Sequence, residues 1–378
     1  MDNSAGRAPR FVGAEIYRRS TYGNWHPLSI PRVSTATDLV RALGWLDTKA
    51  FVPSPRAKPK TLELWHDRAY LDALQAAEAS GQVSDAVRDR HGLGTASNPV
   101  FPEMYRRPAT AAGGSLLSGE MLADPGVIYH PAGGTHHGMP DRAAGFCYLN
   151  DPVLAILSLR RQGVGRIAYV DIDAHHGDGV EFAFRDDPET LVLSVHEERR
   201  WPFTGALEDR GAGQVWNLPV PAGFNDTEMR AVLDALILPR VTAHRPEAVV
   251  LQCGADAVTE DPLSRLTLSN NAHWNVVATL RPLAPRYLVL GGGGYNPWSV
   301  GRLWAGVWGV LTNAEIPDRV NAEAESVLRA LTWRRLRKGA VPSEDWMTTL
   351  RDVPREGPLR DTIRARLATL SDRAVTWV

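Results

Sequence analysis

Four short segments carry residue types that can do chemistry together. They read HPAGGTHHG at 130–138, DIDAHHGDG at 171–179, QCGADAVTEDP at 252–262 and GGGGY at 291–295. In extended backbone side chains alternate, so Asp171, Asp173 and His175 share one face. Two carboxylates and an imidazole on one face repel unless a cation or a proton sits between them. A divalent metal is the simplest resolution. A turn cap with solvated histidines fits less well, because Asp and His are depleted just after a buried strand. The pair His136-His137, in a glycine-rich loop, reads as a second metal site, an acid–base pair or a surface loop. Beside a carboxylate-rich site the acid–base reading is favoured, with Asp171 and Asp178 available to orient the imidazoles. The run Gly291–Gly294 lacks the G-x-G-x-x-G spacing of a dinucleotide site. It lets backbone approach a ligand closely. Tyr295 behind it can donate its hydroxyl to a developing oxyanion.

Each segment directly follows a short apolar run, at 127–129, 167–170, 248–251 and 287–290, and a fifth run lies at 191–195. Helix-like stretches such as 152–162 and 227–244 separate most of them. That alternation predicts a parallel sheet covered on both faces. Sites in such sheets form beyond the carboxyl ends of the strands, which is where all four segments fall. Further helices are predicted over 37–46, 67–81 and 109–122. Residues 1–35 read as irregular, 82–108 as a long surface loop, and the chain from about Asn313 as Arg-rich helices. We expect one catalytic domain over 1–312 and a helical extension over 313–378 packed on it.

Composition narrows the function. Of 378 residues, 44% are hydrophobic and 22% charged, and the net charge is −1. Stable nucleic-acid binding through a basic field, and membrane-surface binding, are disfavoured. Two cysteines exclude a disulfide framework and a cysteine-held zinc, so a metal must rest on His and carboxylate. Neither a signal peptide nor a membrane span is visible, and a cytoplasmic location is expected. Cys147 and Cys253 read as buried packing residues. His26 and His66 read as structural, His176 and His196 as neighbours of the site, and His91, His244 and His273 as surface groups. The basic run 334–338 reads as a solvated helix face.

The stretches PAGGTHHGMPDRAAGFCYLND (131–151), IAYVDIDAHHGDGVEFAF (167–184), VVLQCGADAVTEDPL (249–263) and LGGGGYNPW (290–298) resemble, in this order, the zinc-dependent histone deacetylase family. The likeness is greatest to its bacterial acetoin-utilisation-type members, and weaker similarity begins near His26, Pro27 and Arg32. The resemblance implies an α/β three-layer sandwich with a central parallel sheet, the arginase/deacetylase fold. It implies one catalytic zinc, with Fe(II) as the other metal such a site accepts. Asp173, His175 and Asp261 match the metal ligands. His136 and His137 match the catalytic histidines, Asp171 and Asp178 their carboxylate partners, and Tyr295 the oxyanion-stabilising tyrosine. Gly145, Phe146, Trp201 and Leu268 match substrate-binding positions. A structural potassium ion would rest on Asp171, Asp173, His175, Ser194 and Val195. Arg32 matches an arginine of an internal channel. The implied reaction is hydrolysis of N-acyl-lysine, in protein or peptide, or of a related acylated amine, with oligomers allowed.

Two positions depart from the family pattern. Ser97 falls where many members carry a rim aspartate that clamps substrate backbone, and Trp201 falls where the family has Phe. A serine cannot accept paired N–H bonds as a carboxylate does, which leaves room for acetylpolyamines or other small acylated amines. Two further readings are an arginase-like binuclear ureohydrolase and a non-catalytic acyl-lysine binding protein. The histidine pair and the intact set of catalytic types speak against both.

Overall fold

The computed structural model describes residues 8–23, 25–212, 214–336 and 341–372. Among the described residues, eight strands form one sheet: β1 (Arg10–Gly13), β2 (Phe51–Pro53), β3 (Gly126–His130), β4 (Ile167–Asp171), β5 (Thr190–Glu197), β6 (Val215–Val220), β7 (Ala248–Gln252) and β8 (Arg286–Leu290). Their order is β2-β1-β3-β8-β7-β4-β5-β6, and every pair is parallel. Strands β4 and β7 are buried along their whole length. This is why they read as continuous apolar runs: both faces are covered. Ala168 and Val170 join one core with the helices Val33–Ala42, Asn270–Leu280 and Pro297–Thr312, while Ile167 and Tyr169 join the opposite core with Asp151–Arg161. The result is the expected three-layer α/β sandwich.

Several local expectations change. The segment 1–35 contains β1 and the helix Ile16–Arg19. β2 and β6 close the two sheet edges, and each contains a proline (Pro53, Pro219), so neither reads as a plain apolar run. The segment 82–108 is no simple surface loop. It holds the helix Asp85–His91, capped by Ser84, and buries Leu93, Asn98, Phe101 and Met104. Its sparse apolar residues pack singly, without a period that sequence shows. His91, His244 and His273 are buried, each bonded to a backbone carbonyl (Asp141, Ile167 and Ser269). The run 334–338 is not helical as far as Leu336, and Arg337 and Lys338 lie outside the described residues. The helical stretch over 226–244 is interrupted by a π turn, Leu233–Ile237, just ahead of Pro239, whose missing N–H cannot continue the ladder. Among the described residues, no helix is long and apolar enough to cross a membrane.

The chain after Asn313 packs back on this core. Its helices are Ala322–Arg329, Glu344–Thr348 and Asp361–Ser371, and Leu328, Leu350 and Ile363 are fully buried. Polar contacts fasten it. Arg302 pairs with Asp352 at 2.8 Å, and Asp352 also accepts the Asn270 N–H. Arg360 pairs with buried Glu228, and Arg355 with Glu260.

His66 shows how the scaffold braces the site. Its Nδ1 donates to the Pro140 carbonyl and its Nε2 accepts the Asn150 N–H at 3.0 Å. Asn150 then donates to the carbonyls of His136 and Gly138. Burial pushes the His66 pKa down to about 4, so the unfolded chain takes up this proton first as pH falls. His66 therefore stabilises fully above its ordinary pKa and progressively less from there down to about pH 4, with a limiting loss of about 3 kcal/mol. Urea unfolding of wild type and His66→Gln at pH 7 and pH 4.5 tests this. The variant should be less stable at pH 7 and show a shallower decline on acidification.

Candidate active site

The four chemistry-bearing segments leave the carboxyl ends of β3, β4, β7 and β8, and these strands are neighbours in the sheet. Asp171 lies in register with Gln252 across the β4–β7 pair, and Gln252 with Leu290 across β7–β8. Side chains from chain positions more than a hundred residues apart therefore meet in one place.

Asp171 Oδ2 accepts from His136 Nδ1 at 2.8 Å and from the Tyr169 hydroxyl at 2.7 Å. Asp178 Oδ1 accepts from His137 Nδ1 at 2.7 Å. Both imidazoles are thus held through Nδ1; His136 Nε2 faces Asp173 at 3.8 Å, while His137 lines the cavity. The two rings are 4.0 Å apart, centre to centre. Their surroundings differ. Burial opposes charge on His136, but Asp171 and Asp173 outweigh it and raise its pKa to about 9. Burial, then the charge of His136, push His137 down to about 4 despite Asp178. The same surroundings thus push the two histidines in opposite directions.

Asp173 Oδ1 accepts the His175 N–H, and its Oδ2 accepts the Gly293 N–H at 2.7 Å. His175 Nδ1 lies 2.9 Å from Asp256 Oδ2. Among the described residues, Asp173, His175 and Asp256 form the group whose ligand atoms all lie within 4.8 Å of one another. Asp256 was not among the residues expected from sequence. Asp261, which was, accepts backbone N–H groups from Leu263 at 2.9 Å and Tyr295 at 2.7 Å. It remains in the same electrostatic neighbourhood: burial first, then the charge of Asp256, push its carboxyl well up. Burial and Asp173 likewise raise Asp256. Buried carboxylates that resist ionising next to each other, with an imidazole between them and no thiolate, fit a divalent cation. Gly293 is needed here for close approach, since a Cβ at this position would collide with the Asp256 carboxylate.

A cavity of about 480 Å³ leads from the surface to His137, His175 and Tyr295. Trp201 stands edge-on to His137, 4.6 Å between ring centres, and Phe146 edge-on to Tyr295 at 5.7 Å. Gly145 and Phe146 both hold positive φ, 51° and 70°. A Cβ on Gly145 would strike the Trp201 ring, so only glycine fits under this wall. Ser97 lies in the lining at the mouth. Leu268 does not line this opening; it is buried in the core, while Leu263 takes a place in the wall. Arg32 is half-buried, donates to the Gly292 carbonyl at 2.6 Å, and lines a small cavity together with His136 and His137. Asp171 and Ser194 are register partners on β4 and β5, and the Ser194 hydroxyl pairs with His196. Two supporting residues were missed. Asp151 accepts from the backbone of Gly134 and Thr135 and fixes the histidine loop, and Asn98 accepts the Phe146 N–H. Their position beside a helix start or a proline gave no functional signal.

A sequence description of the histone deacetylase domain matches residues 26–311, most of the chain. The chain belongs to the histone deacetylase family. It is 32% identical over 326 residues to the acetoin utilization protein AcuC of Bacillus subtilis, covering 81% of this chain and 84% of that protein. It is 34% identical over 320 residues to histone deacetylase RPD3 of Saccharomyces cerevisiae, covering 81% and 72%. A crystal structure of a histone deacetylase homologue from Aquifex aeolicus superposes with a TM-score of 0.91 at 33% identity, covering 97% of this chain and all of that one. One of a homologue complexed with SAHA gives 0.92 at 34% identity with the same coverage. The arginase/deacetylase fold read from the motifs is the fold found.

The grouping of aspartates makes a separable prediction for this deacetylase-family site. Asp256→Asn and Asp261→Asn should each weaken divalent-metal affinity by roughly 10–100-fold, the size of effect expected for ligands and their hydrogen-bonded partners. Competition with a chelating dye measures this. Wild-type affinity in either variant removes that residue from the metal site.

Proposed function

We propose that this deacetylase-family protein hydrolyses the amide of an N-acylated amine of the acyl-lysine type, using one bound divalent ion, zinc or Fe(II). The observation that carries this is His137, anchored by Asp178 and lining a cavity together with Phe146, Trp201 and Tyr295. Asp173 and His175, with Asp256 and Asp261 beside them, would hold the ion. When bound, such an ion supplies Lewis-acid polarisation of a carbonyl and of water.

The chain's own residues account for the rest. Phe146 and Trp201 are placed to sandwich an apolar stem and exclude water from the cavity floor. His137, neutral and free at Nε2, accepts a proton from the attacking water and returns it to the leaving amine. His136 stays protonated on Asp171 and offsets the negative charge that develops. Burial holds the Tyr295 hydroxyl well above its ordinary pKa, so it is a donor to the carbonyl oxygen as that oxygen becomes anionic. A monovalent cation beside Asp171 and Ser194 would stiffen the β4–β5 end beneath these groups.

His137→Ala and Tyr295→Phe should each reduce turnover of an acetyl-lysine peptide by roughly 100- to 10,000-fold. Metal content, measured in parallel, should stay at one ion per chain. Near-wild-type turnover in either variant removes that residue from its role. Two tightly bound ions per chain would favour a binuclear ureohydrolase instead.

A further inference from the structure

The charged residues that line the cavity are of one sign. Among the described residues, Arg199, Arg200 and Arg265 line it, and no Asp or Glu does. One carboxylate, Glu197, lies beneath with its side chain fully buried, and it is shared. Arg200 Nε pairs with Oε2 at 2.5 Å, while the Arg265 N–H and Nε donate to its two oxygens at 2.9 and 2.8 Å. Glu197 therefore fixes two guanidiniums in place and offsets only one of three charges. Arg265 uses Nε for that contact, and its side chain is 63% exposed. Arg199 is exposed as well. Ser97, which is uncharged, belongs to the same lining.

The backbone keeps this arrangement at a cost. Arg199 and Phe203 both hold left-handed φ values, 54° and 63°, and Phe203 is 74% exposed. Non-glycine residues in that region cost about 1–3 kcal/mol each and persist where the surrounding structure and function demand them. No burial of Phe203 explains this turn. It presents guanidinium and aromatic groups around the entrance.

We propose that this rim selects acylated amines that carry a carboxylate close to the acylated nitrogen's stem, and that it rejects acylated polyamines. The inference rests on the acyl-amine hydrolase reading and names its substrate class. A fixed guanidinium fork matches a carboxylate geometrically. A cationic rim also raises the local concentration of anionic substrates and repels ammonium groups. The carboxylate has two sources: an acidic residue flanking acyl-lysine in a peptide, or the α-carboxylate of free Nε-acetyl-lysine.

The test compares kcat/KM on acetyl-lysine peptides flanked by Glu, Ala or Lys, on free Nε-acetyl-lysine and its methyl amide, and on N-acetylputrescine. Binding of the same peptides to metal-free protein is followed by fluorescence anisotropy. Glu-flanked peptides should exceed Lys-flanked ones by at least tenfold, carried by KM, with the gap narrowing in 0.5 M salt. Free acetyl-lysine outperforming its methyl amide marks the α-carboxylate as the source; a preference confined to the peptides marks the side chain. Arg199→Glu should invert the peptide preference. Arg265→Gln, which keeps a donor for Glu197, should shrink it. Equal values for Glu- and Lys-flanked peptides, or N-acetylputrescine as the best substrate, overturn the proposal while leaving the hydrolase reading intact. No turnover of any substrate overturns the hydrolase reading, and equal peptide affinities by anisotropy then overturn the rim proposal too.

Discussion

Repulsion among buried carboxylates governs this molecule. Asp171, Asp173, Asp256 and Asp261 are all buried at or beyond the carboxyl ends of β4 and β7. Ionised and alone, such a group would cost far more than the net stability of a typical domain. Each is instead tied to donors: the His136 and Tyr169 side chains, the N–H groups of Ala174, His175 and Gly293, and those of Leu263 and Tyr295. The sheet makes this feasible because four adjacent parallel strands end together, so their loops can aim backbone N–H groups at one point. What the donors leave uncompensated is a demand for positive charge, and this demand connects the fold to its chemistry.

The same field separates the two histidines. They are neighbours in sequence, each on a carboxylate, yet His136 faces Asp173 as well while His137 faces His136 and Trp201. The charged form is favoured on one ring and disfavoured on the other. A pair of identical residues becomes an electrostatic group and a proton acceptor through placement alone.

Much of this was legible in the sequence, because the informative residues are local. Strands buried on both faces show as apolar runs, and polar residues that follow them at once have few other reasons to be there. What was not legible depends on packing between distant segments. β2 and β6 contain prolines, and β1 is four residues long, so none shows a period. The buried apolar residues of 82–108, such as Leu93, Phe101 and Met104, follow no regular period and owe their burial to neighbours such as Tyr148 and Leu149. His91, His244 and His273 look like surface groups because a lone polar residue does not announce a backbone carbonyl waiting for it. Asp256 sits five residues from Asp261 in a segment of mixed character, and only the chain's path shows that it reaches His175. Leu268 and Leu263 exchange places for the same reason: a loop's side-chain directions are set by its turns, which residue types alone do not fix.

The fastening of the C-terminal segment bears on how the protein is made. Arg355 holds Glu260, next to Asp261, and also donates to the Leu268 carbonyl, while Asp352 accepts from Asn270 and pairs with Arg302. These contacts grip the very loop that follows β7. During synthesis every histidine and aspartate of the site leaves the ribosome before residues 352–360 do. Until residues 352–360 arrive, Glu228, Glu260 and Arg302 lack these partners and the loop after β7 lacks its outer support. Full bracing of the centre therefore waits for residues 352–360, although every histidine and aspartate of the site precedes them in the chain.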